Sequence, residues 1–137
     1  MIWCVEDDAS IREIELYALT STGFEARGFE DGSAFWAALQ TEKPELVLLD
    51  VMLPGEDGVT LLKRMKNVPA LRDIPVIMAT AKGAEYDKIQ SLDLGADDYL
   101  VKPFGVMEMV SRVKAVLRRC KPREAVHILT DGGLSLD

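Results

Sequence analysis

The sequence lacks most of the features that define zinc-binding, disulfide-rich and membrane proteins. It contains one histidine, His127, and two cysteines, Cys4 and Cys120, among 137 residues. So few ligands of this kind argue against a zinc site, and two isolated cysteines indicate reduced thiols rather than a disulfide framework. No apolar run approaches the roughly 18 residues of a membrane span, and no basic stretch followed by an apolar one opens the chain. We therefore expect a cytoplasmic protein that does not interact with membranes.

Positive charge is also scarce in this chain. The chain has 16 Lys and Arg residues and 23 Asp and Glu residues, which gives a formal net charge of -7 at pH 7. An acidic balance of this size argues against a chain that binds nucleic acid over its whole surface. What is present is an ordinary globular composition, 48% hydrophobic and 28% charged, over a length that fits one domain plus a short extension.

An apolar run near the middle of the chain ends abruptly in a carboxylate. Residues 46–49 are all apolar, Asp50 follows them, and Pro54, Gly55 and Gly58 come shortly after. An apolar run bounded by turn residues predicts a strand that is buried on both faces. Asp50 would then lie at the carboxyl end of a central strand, which is the edge where open α/β sheets bind ligands.

Apolar runs and helical periodicities alternate along the whole chain. In the first helical stretch, Ile11, Ile14 and Ala18 recur at helical spacing, and Asp8 or Ser10 could cap its start. Further strands are predicted over residues 2–5, 24–29, 75–79 and 98–101, and helices over residues 9–21, 33–40, 59–66, 84–94 and about 105–120.

Five βα units predict an α/β fold with a doubly wound, five-stranded parallel sheet. The flavodoxin-like order 2-1-3-4-5, in three layers, is the natural arrangement for five such units. It puts the continuous apolar strands 1, 3 and 4 in the centre of the sheet. It also puts the second strand, in which apolar and polar residues alternate, at an edge with one wet face.

In this topology the carboxyl ends of strands 1, 3, 4 and 5 deliver polar side chains to one crevice. Two carboxylates about 5 Å apart repel by roughly 3 kcal/mol at an effective dielectric near 20, so the acids need a cation, a raised pKa or both. Oxygen ligands with room for water favour Mg²⁺, and a metal among acids invites a phosphate-containing partner. A carboxylate can itself accept the phosphoryl group. The crevice residues are Glu6, Asp7, Asp8, Asp50, Thr80 and Lys102.

Four motifs with this order and spacing resemble the receiver domain of bacterial two-component response regulators. They are VEDD at 5–8, VLLDVMLPG at 47–55, MATA at 78–81 and VKPF at 101–104, and the resemblance covers about residues 1–120. It implies a CheY-like fold and a phosphoryl group received on Asp50 from a sensor histidine kinase. It further implies a phospho-acceptor that assists its own phosphorylation and dephosphorylation, rather than an enzyme.

The resemblance also implies which residues hold the magnesium ion, Mg²⁺. Asp7 and Asp50 would ligate it directly, together with the backbone carbonyl of Met52. Glu6 would act on it through a water molecule. The ion would thus have two side-chain ligands and one backbone ligand from the protein, all of them oxygen atoms.

The remaining crevice residues would contact the phosphoryl group and respond to it. By the same resemblance, Thr80 would form a hydrogen bond with the acyl phosphate. Lys102 would pair with the phosphate, and its peptide bond to Pro103 is expected to be cis. Tyr99 would be the aromatic residue that swings inward when Thr80 moves.

Two further motifs resemble the OmpR/PhoB subfamily of transcription factors: LGADDY at 94–99 and VKAVLRR at 113–119. That subfamily forms homodimers through its fourth helix, fifth strand and fifth helix. The segment GLSLD at 133–137 is similar to the opening of its DNA-binding domain, so we expect residues 121–137 to form a linker and the start of a truncated DNA-binding domain. The residues that match the subfamily's dimer ion pairs are Lys88, Asp97, Asp98, Glu108, Arg112 and Arg119.

Three other functions stay open as alternatives. A flavin or nucleotide binder would need a Gly- or Ser/Thr-rich phosphate loop after the first strand, where residues 6–8 are acidic. A phosphatase with an aspartyl nucleophile would need a second acid two residues after the first, where Met52 stands. A stand-alone receiver that acts by binding a partner protein is disfavoured only by the tail after Cys120.

Overall fold

The computed structural model describes residues 1–81 and 95–120 of the chain. The predicted helix over residues 84–94, which includes the dimer residue Lys88, lies outside the described residues. The predicted linker and domain start over residues 121–137 also lie outside them. Within the described ranges, no helix is both long and apolar enough to cross a membrane.

Five parallel strands form the sheet: β1 (Ile2–Val5), β2 (Ala26–Phe29), β3 (Leu46–Asp50), β4 (Val76–Ala81) and β5 (Asp98–Lys102). Their order is β2-β1-β3-β4-β5, which confirms the predicted order with β1, β3 and β4 in the centre. Every residue of β1 and β3 is buried, because both faces of the central strands are covered.

Four helices are described: α1 (Ala9–Ser21), α2 (Gly32–Leu39), α3 (Gly58–Lys66) and α4 (Val106–Cys120). The first three begin after aspartates whose side chains accept hydrogen bonds from backbone N–H groups that the helix leaves without partners. Of the two caps predicted for α1, Asp8 is the one used. Its Oδ1 accepts hydrogen bonds from the backbone N–H groups of Ser10 at 2.9 Å and Ile11 at 3.2 Å.

The core consists of two layers, one on each face of the sheet. Along β1, Trp3 and Val5 face the side covered by α2 and α3, whereas Ile2 and Cys4 face the side covered by α1 and α4. The same alternation continues through β3 and β4. We refer to these as the α2/α3 layer and the α1/α4 layer, and with the sheet they give the predicted three-layer architecture.

The buried stripe of α1 differs from the one that the spacing predicted. Ile14 is 54% exposed, whereas Glu15 is only 2% exposed. Ala18 and Leu19 complete the buried stripe. The periodicity therefore predicted the bounds of the helix correctly but not its buried face, because a buried glutamate is rare and a spacing of apolar residues does not reveal it.

Candidate functional site

The carboxyl ends of four strands bring the predicted crevice residues together. The register of β1 with β3 sets Glu6 beside Asp50, and the register of β4 with β5 sets Thr80 one step from Lys102. Ligand oxygens of Glu6, Asp50 and the exposed Asp7 lie within 4.8 Å of one another. Asp8, predicted as a fourth acid of the crevice, is instead engaged in capping α1.

Lys102 is the cation that holds the two buried carboxylates together. Its Nζ donates to Glu6 Oε1 at 2.7 Å and to Asp50 Oδ2 at 2.8 Å. Burial lowers the pKa of the Lys102 ammonium, but the hydrogen bonds to Asp50 and Glu6 outweigh it, so the net shift is upward. The lysine therefore stays charged and partly neutralises the site.

Glu6 is positioned by the start of α1 as well as by Lys102. Its Oε2 accepts a hydrogen bond from the backbone N–H of Asp8 at 3.2 Å. Its backbone carbonyl accepts one from Arg12 Nη1 at 2.7 Å. Burial raises the pKa of Glu6 to about 7, against the opposing hydrogen bond from Lys102, and the charge of Asp50 raises it further. Additional positive charge at this point would favour the ionised form of Glu6.

Asp50 is held by the loop that joins β3 to α3. It is 3% exposed, and its Oδ1 accepts a hydrogen bond from the backbone N–H of Met52 at 3.2 Å. The loop returns so closely that a Cβ on Gly58 would lie 2.2 Å from the backbone oxygen of Asp50. Only glycine fits there, so Gly58 helps to fix the backbone of the proposed acceptor.

The donor set fits a small divalent cation. Glu6, Asp7 and Asp50 offer only carboxylate oxygens, the ligand type that Mg²⁺ prefers. When ionised, these three acids carry two more charges than Lys102 neutralises. Asp7 is exposed, which leaves the cluster open to solvent and to the waters that Mg²⁺ retains. A contribution from the backbone carbonyl of Met52 stays a prediction.

Thr80 and Tyr99 lie on the strands next to the acids. The Thr80 hydroxyl is buried and donates to the carbonyl of Leu100 at 3.5 Å, longer than the usual hydrogen bond between oxygens. A bond this long costs little to exchange for a better acceptor. Tyr99 is half-buried and packs against the α2/α3 layer. The peptide between Lys102 and Pro103 is cis, as predicted.

The predicted dimer residues that are described form ion pairs and hydrogen bonds within this chain. Arg112 Nη1 lies 3.0 Å from Asp98 Oδ2, and Arg112 Nε lies 3.5 Å from Glu108. The hydrogen bond to Asp98 raises the pKa of the Arg112 guanidinium further. Arg119 Nη2 donates to the backbone oxygen of Asp97 at 2.9 Å. The structure thus groups these residues along β5 and one side of α4.

Two residues that support the site were not singled out for this role from the sequence. Arg12 comes six residues after Glu6, a spacing that carries no motif, and it reaches the Glu6 backbone only because α1 turns back over β1. The signal for Gly58 was present, since Gly58 belongs to the turn-forming stretch after Asp50. Its close approach to Asp50 becomes visible only in three dimensions.

Comparison with known sequences gives one matching family, described as the response regulator receiver domain, over residues 2–114. Among curated proteins, the chain is 47% identical over 136 residues to the phosphate regulon transcriptional regulatory protein PhoB of Pseudomonas aeruginosa, and 44% identical to that of Escherichia coli. Each alignment covers 99% of this chain and 59% of the relative. The chain therefore spans little more than half the length of these relatives.

Solved structures agree with the fold. The signal receiver domain of a signal transduction histidine kinase from Syntrophus aciditrophicus has a TM-score of 0.81 and 32% identity, and the alignment covers 96% of this chain and 94% of that one. The receiver domain of NtrX from Brucella abortus has a TM-score of 0.80 and 29% identity, with 86% and 98% covered. These similarities extend over nearly the whole of both solved domains.

Proposed function

The chain belongs to the response regulator receiver domain family, and we propose that it accepts a phosphoryl group on Asp50 and controls a transcriptional output. One observation carries the proposal. The buried Asp50 carboxylate is bonded to Lys102, next to Glu6 and Asp7, at the carboxyl edge of the sheet. An acceptor, a counter-charge and a set of metal ligands therefore meet at one point.

The proposed reaction is transfer from a phosphorylated donor to a carboxylate oxygen of Asp50. The bond between phosphorus and the donor breaks, a bond to Asp50 forms, and later attack by water restores the carboxylate and releases inorganic phosphate. Mg²⁺, held by Asp7, Asp50 and the backbone carbonyl of Met52 and by Glu6 through a water molecule, would supply charge neutralisation for the phosphoryl oxygens. Lys102 already contacts Asp50 and would pair with one of these oxygens. The protein thus assists both steps without turning over a separate substrate.

The switch that follows would start at Thr80. Phosphorylation adds negative charge and strong acceptor oxygens beside this residue. The Thr80 hydroxyl would exchange its long bond to Leu100 for a bond to the phosphoryl group. Tyr99, one residue before Leu100 on the neighbouring strand, would follow by moving inward. The added charge is confined to Asp50, and its effect would reach Tyr99 through the packing of the side chains between them.

The output would be dimerisation and regulation of transcription. We assign residues 1–120 to the receiver domain and residues 121–137 to a linker and the start of a DNA-binding domain, in a cytoplasmic protein fed by a histidine kinase. The PhoB relatives are transcriptional regulatory proteins, which supports this output. The charged groups along β5 and α4, with Lys88, would exchange their partners between two copies when the homodimer forms. Surface pairs of this kind set register more than affinity.

A phosphorylation assay with matched variants tests the proposal. The protein is incubated with acetyl phosphate and Mg²⁺, and its intact mass is followed over time. The wild type is expected to gain one phosphoryl group, and Asp50→Asn to gain none. Asp57→Asn is the control, because Asp57 is an exposed cap of α3 and asparagine can replace it there. Chelation of Mg²⁺ should prevent the gain, and uptake by Asp50→Asn at the wild-type rate would contradict the assignment.

A further inference from the structure

The loop that joins β3 to α3 carries the backbone carbonyl of Met52 that would ligate Mg²⁺. Both ends of this loop are fixed close to the acceptor. The Met52 N–H donates to Asp50 Oδ1 at 3.2 Å, and the Gly58 N–H donates to the carbonyl of Val51 at 2.9 Å. Between these points the chain turns through Gly55, whose φ of 75° is a left-handed conformation that glycine adopts readily. Such a turn belongs to neither a helix nor a strand, so side-chain contacts have to fix its position.

The side chain of Glu56 ties this turn to α3. Its Oε1 accepts a hydrogen bond from Arg64 Nη1, near the end of the helix, and the two groups form an ion pair. Both side chains are partly exposed, so the pair by itself adds little to the free energy of unfolding. An exposed pair can nevertheless fix the position of a loop when one of its two partners is already held in place.

Arg64 is held in place by Trp36 of α2. The ζ carbon of its guanidinium lies 4.1 Å from the centroid of the Trp36 ring, which is a cation–π contact. The ring is half-buried and packs against the apolar cluster of the α2/α3 layer. A planar guanidinium that is already held against a ring loses less freedom when it forms a hydrogen bond. A continuous chain of contacts therefore runs from the buried layer through Trp36, Arg64 and Glu56 to the turn after Asp50.

We propose that Arg64 is a positioning residue for Mg²⁺: stacked on Trp36, it binds Glu56 and keeps the loop in the conformation that presents the Met52 carbonyl to the ion. The inference rests on the proposed function, because it takes Mg²⁺ to bind beside Asp50 with Met52 as a ligand. A loop that is already fixed in this conformation loses less freedom when the ion binds, so the affinity is higher. None of the three residues of this clamp belongs to the four motifs that resemble receiver domains.

The direction of the effect on Mg²⁺ affinity separates positioning from electrostatics. Arg64 is a cation, so its replacement by a neutral residue would strengthen Mg²⁺ binding if only its charge mattered. If Arg64 positions the loop, Arg64→Gln weakens binding instead, and Glu56→Gln weakens it as well, because both variants remove the same contact. Lys63→Gln is the matched control, since it makes the same charge change on an exposed side chain of the same helix.

The test titrates Mg²⁺ into the isotope-labelled full chain without a phosphoryl donor and follows the amide resonances of residues 50–58. Arg64→Gln and Glu56→Gln are each expected to raise the dissociation constant of Mg²⁺ about threefold. The double variant should raise it no further than either single variant does. Arg64→Lys, which keeps the charge, should recover part of the affinity, and Lys63→Gln should not weaken binding. Urea denaturation checks that each variant is folded.

The outcomes distinguish this inference from the proposed function on which it rests. A wild-type dissociation constant in Arg64→Gln or Glu56→Gln, or tighter binding by Arg64→Gln, would overturn the positioning role. Absence of a saturable Mg²⁺ response in the wild type would overturn it too. An Asp50 that takes up no phosphoryl group despite normal Mg²⁺ binding would contradict only the proposed function.

Discussion

The two layers of the core differ in what they bury. In the α2/α3 layer, the rings of Trp3 and Phe29 lie 4.9 Å apart, and Phe35 packs against both at 6.2 and 6.1 Å. These three rings belong to the hydrophobic cluster of this layer. The buried hydrophobic cluster of the α1/α4 layer includes no aromatic residue among the described residues, and on this side of the sheet α1 buries the carboxyl of Glu15 beside an open cavity. The first layer packs three aromatic rings together, whereas the second buries a carboxyl group close to the acidic site.

This difference predicts that the two layers contribute differently to the stability of the fold. A fully buried aromatic or aliphatic side chain contributes roughly 1.5–3 kcal/mol through the area it removes from water. A buried carboxyl without a hydrogen-bond donor works against folding. We therefore expect the α2/α3 layer to contribute more to the free energy of unfolding than the α1/α4 layer does. The α1/α4 layer tolerates an unfavourable group next to Glu6 and Lys102, where proteins concentrate perturbed titratable residues.

The largest expected effect comes from truncating a ring of the α2/α3 layer. Phe35 is fully buried between Trp3 and Phe29, so Phe35→Ala leaves a cavity that its aromatic neighbours cannot close. We expect the free energy of unfolding to fall by about 3–5 kcal/mol. Urea denaturation followed by circular dichroism measures this loss.

The neighbouring Trp36 provides the matched control. Its ring is only half-buried and stacks under the Arg64 guanidinium at 4.1 Å. Trp36→Ala should therefore cost only about 1 kcal/mol. Equal losses for the two variants would mean that the α2/α3 layer is not the closely filled region described above.

A smaller effect on the free energy of unfolding is expected when a rise in pH ionises Glu15. The folded-state pKa of Glu15 is raised from 4.5 to about 8 by burial, so the folded protein holds this proton where the unfolded chain releases it. The contribution is favourable below pH 4.5 and is lost as the pH rises from there toward 8. Between pH 5 and 7 the loss from this group is on the order of 2 kcal/mol.

The variant Glu15→Gln isolates this contribution from the other titrating groups. Gln does not titrate. The free energy of unfolding of the Glu15→Gln variant should therefore rise relative to that of the wild type as the pH increases from 5 to 7. Glu13→Gln, on the exposed side of the same helix, should keep the wild-type pH dependence. Parallel pH profiles for the wild type and Glu15→Gln would show that the buried carboxyl is already ionised in the folded protein.

The smallest effect on stability is expected at Arg112. Its pairs with Asp98 and Glu108 lie near the surface, so Arg112→Ala should change the free energy of unfolding by less than about 1 kcal/mol. Under the proposed function, however, the same variant should weaken the phosphorylated dimer several-fold. Analytical ultracentrifugation with and without phosphoryl donor separates the two effects. An unchanged dimer affinity would remove Arg112 from the proposed interface.

The sequence was sufficient to predict the sheet because its signals are local. Runs such as residues 46–49 are apolar throughout, and this is the pattern of strands covered on both faces. The spacing of Ile11, Ile14 and Ala18 did not predict the buried face of α1, since Ile14 is largely exposed and the neighbouring Glu15 is buried.

The site was predictable to the extent that topology dictates it. Four strand ends in one sheet order are enough to bring Glu6, Asp50 and Lys102 together. Whether Lys102 forms hydrogen bonds with both acids depends on the distances from its Nζ to their oxygens, and only the structure gives those distances. The contact of Arg12 with the Glu6 backbone and the fit of Gly58 against Asp50 depend on how α1 and the loop after β3 fold back. No pattern in the sequence predicts the Arg12 contact, and the turn-forming stretch after Asp50 indicates a glycine turn but not the atom that Gly58 approaches.

Locating the phosphoryl group directly is the sharpest test of the central claim. After incubation with acetyl phosphate and Mg²⁺, borohydride reduces an aspartyl phosphate to homoserine, which peptide mass spectrometry can assign to one position. We expect homoserine at position 50 alone, and none when Mg²⁺ is chelated or the donor is omitted. Homoserine at Asp7 or at any other carboxylate, with Asp50 unmodified, would contradict it.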